Sequence, residues 1–164
     1  MYKLLIIFSF LLSFSLFAQN KEPAEEHKKL SAIVGKWTVQ GMEDSFLEIC
    51  EMYKGGYFLV CNSEFKTESG GLNTGVSILG YSSEEKHLTY YHYSSTGASQ
   101  TLKGSIDEQG SLYFEGEEII DGKLTRTRVN MKKIGETYDF KEETSIEDGD
   151  WTTSANFVYI RAKQ

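Results

Sequence analysis

From residue 35 onward, apolar and polar positions alternate with a period of two in short runs rich in Val, Ile, Thr, Tyr, Phe and Trp. This is the pattern of strands with one buried and one solvated face. Turn signals separate the runs at Glu43-Asp44, Gly55-Gly56, Gly70-Gly71, Ser83 to Lys86, Gly97, Gly110, Asp121-Gly122, Gly135 and Asp148-Gly149. These nine turns delimit ten segments. None contains proline, because the only proline is Pro23, so every segment can join a hydrogen-bonded ladder. The pattern predicts an all-β protein, a ten-stranded up-and-down antiparallel meander closed into a barrel. Closed sheets of this size can enclose a small ligand.

Tight turns also predict register, and register predicts which side chains point inward. A two-residue turn at Asp148-Gly149 sets Trp151 against Ile146, Phe157 against Phe140 and Tyr159 against Tyr138. A turn at Ile134-Gly135 then pairs Tyr138 with Met131 and Phe140 with Val129. Through Asp121-Gly122, the set Thr127, Val129 and Met131 meets Gly116, Phe114 and Leu112. Three-residue loops ending at Gly110 and Gly97 carry the register on to Leu102, Gly104 and Ile106, and then to Leu88, Tyr90 and His92. The apolar faces agree along this whole stretch. The same count places Glu115 opposite Arg128 and Glu117 opposite Arg126 on the outer face, a surface charge ladder.

The second and third segments break the pattern. Phe46, Cys50, Met52, Leu59, Cys61 and Phe65 form one apolar face, while Leu47, Ile49, Tyr53, Phe58 and Val60 form another. The inward face of residues 45–82 is therefore open, and an exposed apolar strip at this hairpin would suit a partner. Across Gly55-Gly56, counting outward places Cys50 opposite Cys61, which predicts a cross-strand disulfide. A two-residue turn makes this a hydrogen-bonded pair, the wider of the two kinds.

Before the first strand, Leu30, Ile33 and Val34 share one side of a short helical stretch that ends at Gly35-Lys36-Trp37. A Gly-x-Trp opening, a following meander and a late arginine, Arg161, resemble the lipocalin-like (calycin) superfamily. The resemblance implies that Trp37 lies inside the closed end, that Arg161 packs across it and that the short helix plugs that end. Within that superfamily the chain is most similar to an uncharacterised bacterial secreted family, a domain of unknown function. That likeness rests on Leu30 to Trp37 and on Leu79-Gly80-Tyr81 leading through Lys86 to Tyr90 and Gly97, with the barrel covering residues 28–164. The lid helices of fatty-acid-binding proteins and the C-terminal helix of true lipocalins have no counterpart, so their ligand residues do not transfer.

Residues 1–19 read as a secretory signal peptide: Lys3 supplies the positive start, Leu4 to Phe17 the apolar run, and Ala18 the small residue for cleavage. Residues 20–27 read as a linker. Export to the periplasm or beyond agrees with a disulfide. Without Lys3, 16 basic residues face 24 acidic ones, a net charge of −8. This disfavours nucleic acid and anionic lipid as partners, and nothing after the leader is long enough to span a membrane.

The expected interior mixes aromatic and polar groups: Trp37, Phe114, Phe140, Trp151 and Phe157 with Tyr90, His92, Gln100, Thr127, Tyr138, Glu142, Tyr159 and Arg161. Tyr90, His92, Gln100, Phe114, Tyr138, Phe140, Glu142, Phe157 and Tyr159 are the candidate ligand-binding residues. Trp37 and Arg161 are structural candidates. No catalytic or metal-binding motif is present. His87 and His92 lie five apart on one strand and face opposite ways, so they cannot chelate one ion. No cofactor is expected, with haem on His92 as the alternative. The sequence therefore predicts an exported barrel, monomeric or weakly dimeric, that carries a small apolar or amphipathic molecule. The alternatives are a filled barrel acting through its exposed hairpin and an enzyme using Glu142, with Glu48 as a possible second carboxylate.

Overall fold

The computed structural model describes residues 22–163; the predicted signal peptide lies outside the described residues. A helix, α1 (Glu25–Lys29), runs into a 3-10 turn (Leu30–Ile33) and then into ten strands. The strands are β1 (Gly35–Val39), β2 (Phe46–Met52), β3 (Phe58–Lys66), β4 (Leu72–Ser82) and β5 (His87–Ser94). They continue as β6 (Ser99–Ile106), β7 (Leu112–Ile120), β8 (Lys123–Ile134), β9 (Thr137–Ile146) and β10 (Thr152–Arg161). Each strand pairs antiparallel with its neighbours in sequence, and β1 pairs with β10 through Trp37 and Arg161 to close the barrel. Closure leaves no free edge and defines one interior.

The predicted registers hold from β5 to β8: Leu88 opposes Gly104, Phe114 opposes Val129 and Glu117 opposes Arg126. At the β7–β8 turn Asp121 and Gly122 both take positive φ, 50° and 77°, as a two-residue turn matched to the sheet twist requires. The predicted placement of the outer charges holds, with Glu115 opposite Arg128 and Glu117 opposite Arg126, and further partners join them. Arg128 donates to Glu143 of β9 at 2.8 Å, and Arg126 pairs with Asp148 as well as with Glu117.

Three expectations need correction. The β8–β9 turn is centred on Gly135-Glu136, with Ile134 opposite Thr137, so Met131 meets Phe140 and Lys133 meets Tyr138. That is a slip of two residues, which leaves every side chain on its expected face. The β9–β10 hairpin carries a bulge between Thr153 and Ala155. Phe157 and Tyr159 keep their expected partners, but beyond the bulge the facing inverts, and Trp151 lies outside under the Arg128 guanidinium, 4.3 Å from its ring centroid. Trp151 is thus removed from the interior.

The third correction concerns the disulfide. Cys50 and Cys61 are bonded and directly opposed, with Cα atoms 4.0 Å apart. That spacing belongs to a non-hydrogen-bonded pair. The loop is longer than expected: Tyr53 donates its backbone N–H to Phe58, so Lys54 to Tyr57 form the connection and the alternation of bonded pairs shifts. Leu59 and both cysteines are buried, which places Phe46, Glu48, Cys50 and Met52 inside. The other face of the hairpin is outside, with Tyr53 and Phe58 exposed.

The helix begins at Glu25, earlier than the sequence suggests, within the stretch assigned to the linker. Glu25 and Glu26 in its first turn and Lys28 and Lys29 in its last complement the helix dipole, and His27 Nδ1 accepts the Ala24 backbone N–H at 3.0 Å. His27 packs edge-on against Tyr57 and Tyr81. Leu30 and Ile33 are buried against the core, and Lys29 reaches Glu108 in the β6–β7 loop. The helix and the 3-10 turn therefore close the end of the barrel where β1 starts and β10 finishes.

Candidate functional site

At the closed end, Gly35, Trp37 and Arg161 form one unit. The Trp37 indole N–H donates to the Ile33 carbonyl at 2.7 Å, and its ring meets Tyr138 edge-on. Arg161 lies over the Trp37 ring, 3.8 Å from its centroid, and donates to the Val34 carbonyl. Gly35 has a φ of 132°, and a β-carbon there would overlap the Arg161 guanidinium. The glycine of the Gly-x-Trp motif is thus required twice, by its backbone angle and by the arginine's path. Arg161 is spent on the closed end and faces no carboxylate in the cavity.

Above this floor lies a cavity of about 80 Å³. That is well below the roughly 300–1,000 Å³ of a drug-sized site, so an occupant has to be compact. Its walls are Ile33, Glu48, Cys61, Ser77, Leu79, Tyr90, Gln100, Leu102, Leu112, Phe114, Val129, Met131, Phe140, Glu142 and Tyr159. Every barrel strand from β2 to β10 contributes, as alternating inward positions require.

Of the sequence-predicted candidates, Tyr90, Gln100, Phe114, Phe140, Glu142 and Tyr159 line this cavity together. Phe157 stacks on Phe140 at 4.5 Å and meets Tyr159 edge-on, but is not itself part of the lining. Tyr138 is buried against Trp37, and its hydroxyl has no hydrogen-bond partner among the described residues. His92 also stands outside the lining. Its Nδ1 shares a hydrogen bond of 3.0 Å with Ser77 Oγ, which in turn bonds the Tyr90 hydroxyl at 3.2 Å. The His92 ring covers Gly75, and burial lowers its pKa, favouring the neutral ring.

Glu48, open in the sequence, lines the same cavity as Glu142. Its carboxyl group has no hydrogen-bond partner among the described residues, and burial alone pushes its pKa up to about 7. Glu142 accepts a hydrogen bond of 2.7 Å from Ser154, the residue inside the β10 bulge. The bulge that expels Trp151 thereby brings a hydroxyl to an interior carboxylate. Burial raises the pKa of Tyr90 to about 12 and that of Tyr159 well above its ordinary value, and the Glu48 carboxylate adds to both shifts. Both phenols stay protonated and can donate. The walls thus offer two carboxyl groups, two phenols, a hydroxyl and an amide, with no Lys, Arg or His among the described residues.

The Glu48 carboxylate and the two cysteine sulfurs lie within 4.8 Å of one another. The sulfurs are bonded to each other, so they are not thiolate ligands, and the cluster is no metal centre in this oxidised form.

Sequence reasoning left the facing of Glu48 open and missed Ser77 and Leu79. The signal existed: the four-residue turn Ser83 to Lys86 sets Tyr90 opposite Leu79 and His92 opposite Ser77, and the next strand sets Ser77 opposite Cys61. Two steps back along β2 from Cys50, which faces Cys61, lies Glu48.

A comparison with curated proteins finds no match for this chain. The family model described as "Protein of unknown function (DUF1579)" matches residues 22–161, which is nearly all of the described chain. The chain therefore belongs to the DUF1579 family.

Proposed function

We propose that this protein is an exported carrier or scavenger that binds one small, partly apolar molecule inside its barrel. The observation that carries the reading is the cavity, which its own aromatics leave open and toward which several polar groups converge. A barrel built only for stability gains by filling such space, since each cavity costs packing energy. Polar groups held in an apolar enclosure without partners also cost stability. Both penalties fall away when a ligand of matching shape is bound. The Cys50–Cys61 disulfide supports an exported protein, and the Trp37–Arg161 stack supports kinship with lipocalin-like barrels.

A second reading has its own observation. Tyr53, Phe58, Tyr91 and Tyr93 are exposed on the outer face of β2 to β5, a strip that suits a protein partner.

The test of the first reading is nuclear magnetic resonance with benzyl alcohol, a compact aromatic probe. The expected result is saturable shifts confined to cavity-lining residues such as Leu102, Val129 and Met131. Shifts limited to the outer strip, or none at millimolar probe, would overturn it.

A further inference from the structure

We infer that the ligand is an organic amine, a compact apolar and preferably aromatic body bearing one protonated nitrogen. This rests on the small-molecule reading above and adds the sign of the ligand's charge. The first observation is the composition of the wall: Glu48 and Glu142 line the cavity, and among the described residues no basic side chain joins them there. The second is that Glu48, a half-buried residue, opens its carboxyl group onto this cavity with no hydrogen-bond partner among the described residues.

The fold does neutralise carboxylates elsewhere. Glu143, the next residue along β9, holds both Arg128 and Lys141 at 2.8 Å on the outer surface. On the inward face by register, the nearest candidate cation is Arg161, two strands from Glu48 through Trp37, but it is exposed at the closed end. It is turned onto Trp37 and the Val34 carbonyl.

Ionised carboxylates in a partly apolar enclosure are costly alone and strongly attractive to a cation that enters with them. Tyr90, Phe114, Phe140 and Tyr159 add aromatic faces to the same cavity, and such faces attract ammonium groups. A fatty acid or other anion would add a third negative group where no donor of opposite charge exists. A neutral ligand would leave Glu48 either unpaired or protonated.

The experiment is isothermal calorimetry at pH 8 with three probes of one shape, benzylamine, benzyl alcohol and benzoate, on the disulfide-intact protein and on Glu48→Gln. Benzylamine is expected to bind about tenfold or more tighter than benzyl alcohol, as one charge-assisted contact provides. Benzoate is expected to bind weakest, and the amine-to-alcohol ratio should collapse toward one in Glu48→Gln. Glu142→Gln serves as a second variant and should lower the same ratio. If benzyl alcohol binds as tightly as benzylamine, the charge assignment fails while the small-molecule reading stands. If none of the three binds, both fail. An amine preference undiminished in both variants places the cation elsewhere and overturns the inference.

Discussion

Replacing Glu48 with glutamine is expected to stabilise the ligand-free protein at pH 8 by about 2–3 kcal/mol and to leave its stability at pH 4 nearly unchanged. The cause is desolvation. Folding moves this carboxyl group into the barrel wall without a hydrogen bond or cation among the described residues and raises its pKa from 4.5 to about 7. A raised pKa means that the folded state holds the proton more tightly than the unfolded chain. The stabilising contribution is complete below the unfolded value and is lost as pH rises through about 7. Glutamine carries no charge at any of these pH values, so the variant lacks this loss.

The difference between the two proteins, measured by urea unfolding from pH 4 to 8, isolates Glu48. Other groups act in the opposite sense and cancel in that difference: Glu143, held down to about 2 by Arg128 and Lys141, favours the folded state until acid protonates it. For a domain of this size the gain at pH 8 corresponds to a melting temperature higher by roughly 5–10 °C. Equal stability of the two proteins at pH 8 would mean that water or another group already satisfies Glu48. It would also remove the main support for a cationic ligand.

The second large effect is expected at Gly104. This residue stands in β6 between Leu88 and Phe114, and its φ is not in the left-handed region, so the reason for glycine is space. A β-carbon there would overlap the Tyr113 carbonyl oxygen and the Phe114 ring. A backbone oxygen in a closed sheet cannot move aside without parting β6 from β7. Gly104→Ala is therefore expected to cost about 3 kcal/mol or more, the upper range for overpacking. Thermal unfolding measures this as a melting temperature lower by roughly 10 °C. The variant should also weaken probe binding, because Phe114 is a cavity wall. An unchanged melting temperature would contradict the close β6–β7 approach.

These two residues mark how far the sequence could be read. Gly104 was placed correctly because tight loops at Gly97, Gly110 and Asp121-Gly122 connect β5 to β8, and short turns transmit register without loss. The ten strands and their closure were legible for the same reason. The β8–β9 slip arose because Gly135 can take either central position of a two-residue turn, and the composition does not choose between them. The bulge at Ser154 has no signature, since Thr152, Thr153, Ser154 and Ala155 would all suit an ordinary strand. It carried Trp151 outside and supplied the hydroxyl that meets Glu142.

Glu48 was hidden for a different reason. Its strand is apolar on both faces, because one lines the interior and the other forms the exposed strip, and alternation carries no information there. What fixes the face is a distant pairing through β4 and β3 to the disulfide. The candidate site was thus half legible: the side chains of β5 to β10 were named from register, and the carboxylate that gives the cavity its character was left open.

The most direct test of an interior binding site is native mass spectrometry of the protein purified gently and without detergent, set beside the mass of the denatured chain. The account predicts one additional small mass per monomer, present in the native spectrum and lost on denaturation. A bare monomer in every gentle preparation, or a bare dimer held through the outer strip of β2 to β5, would contradict it.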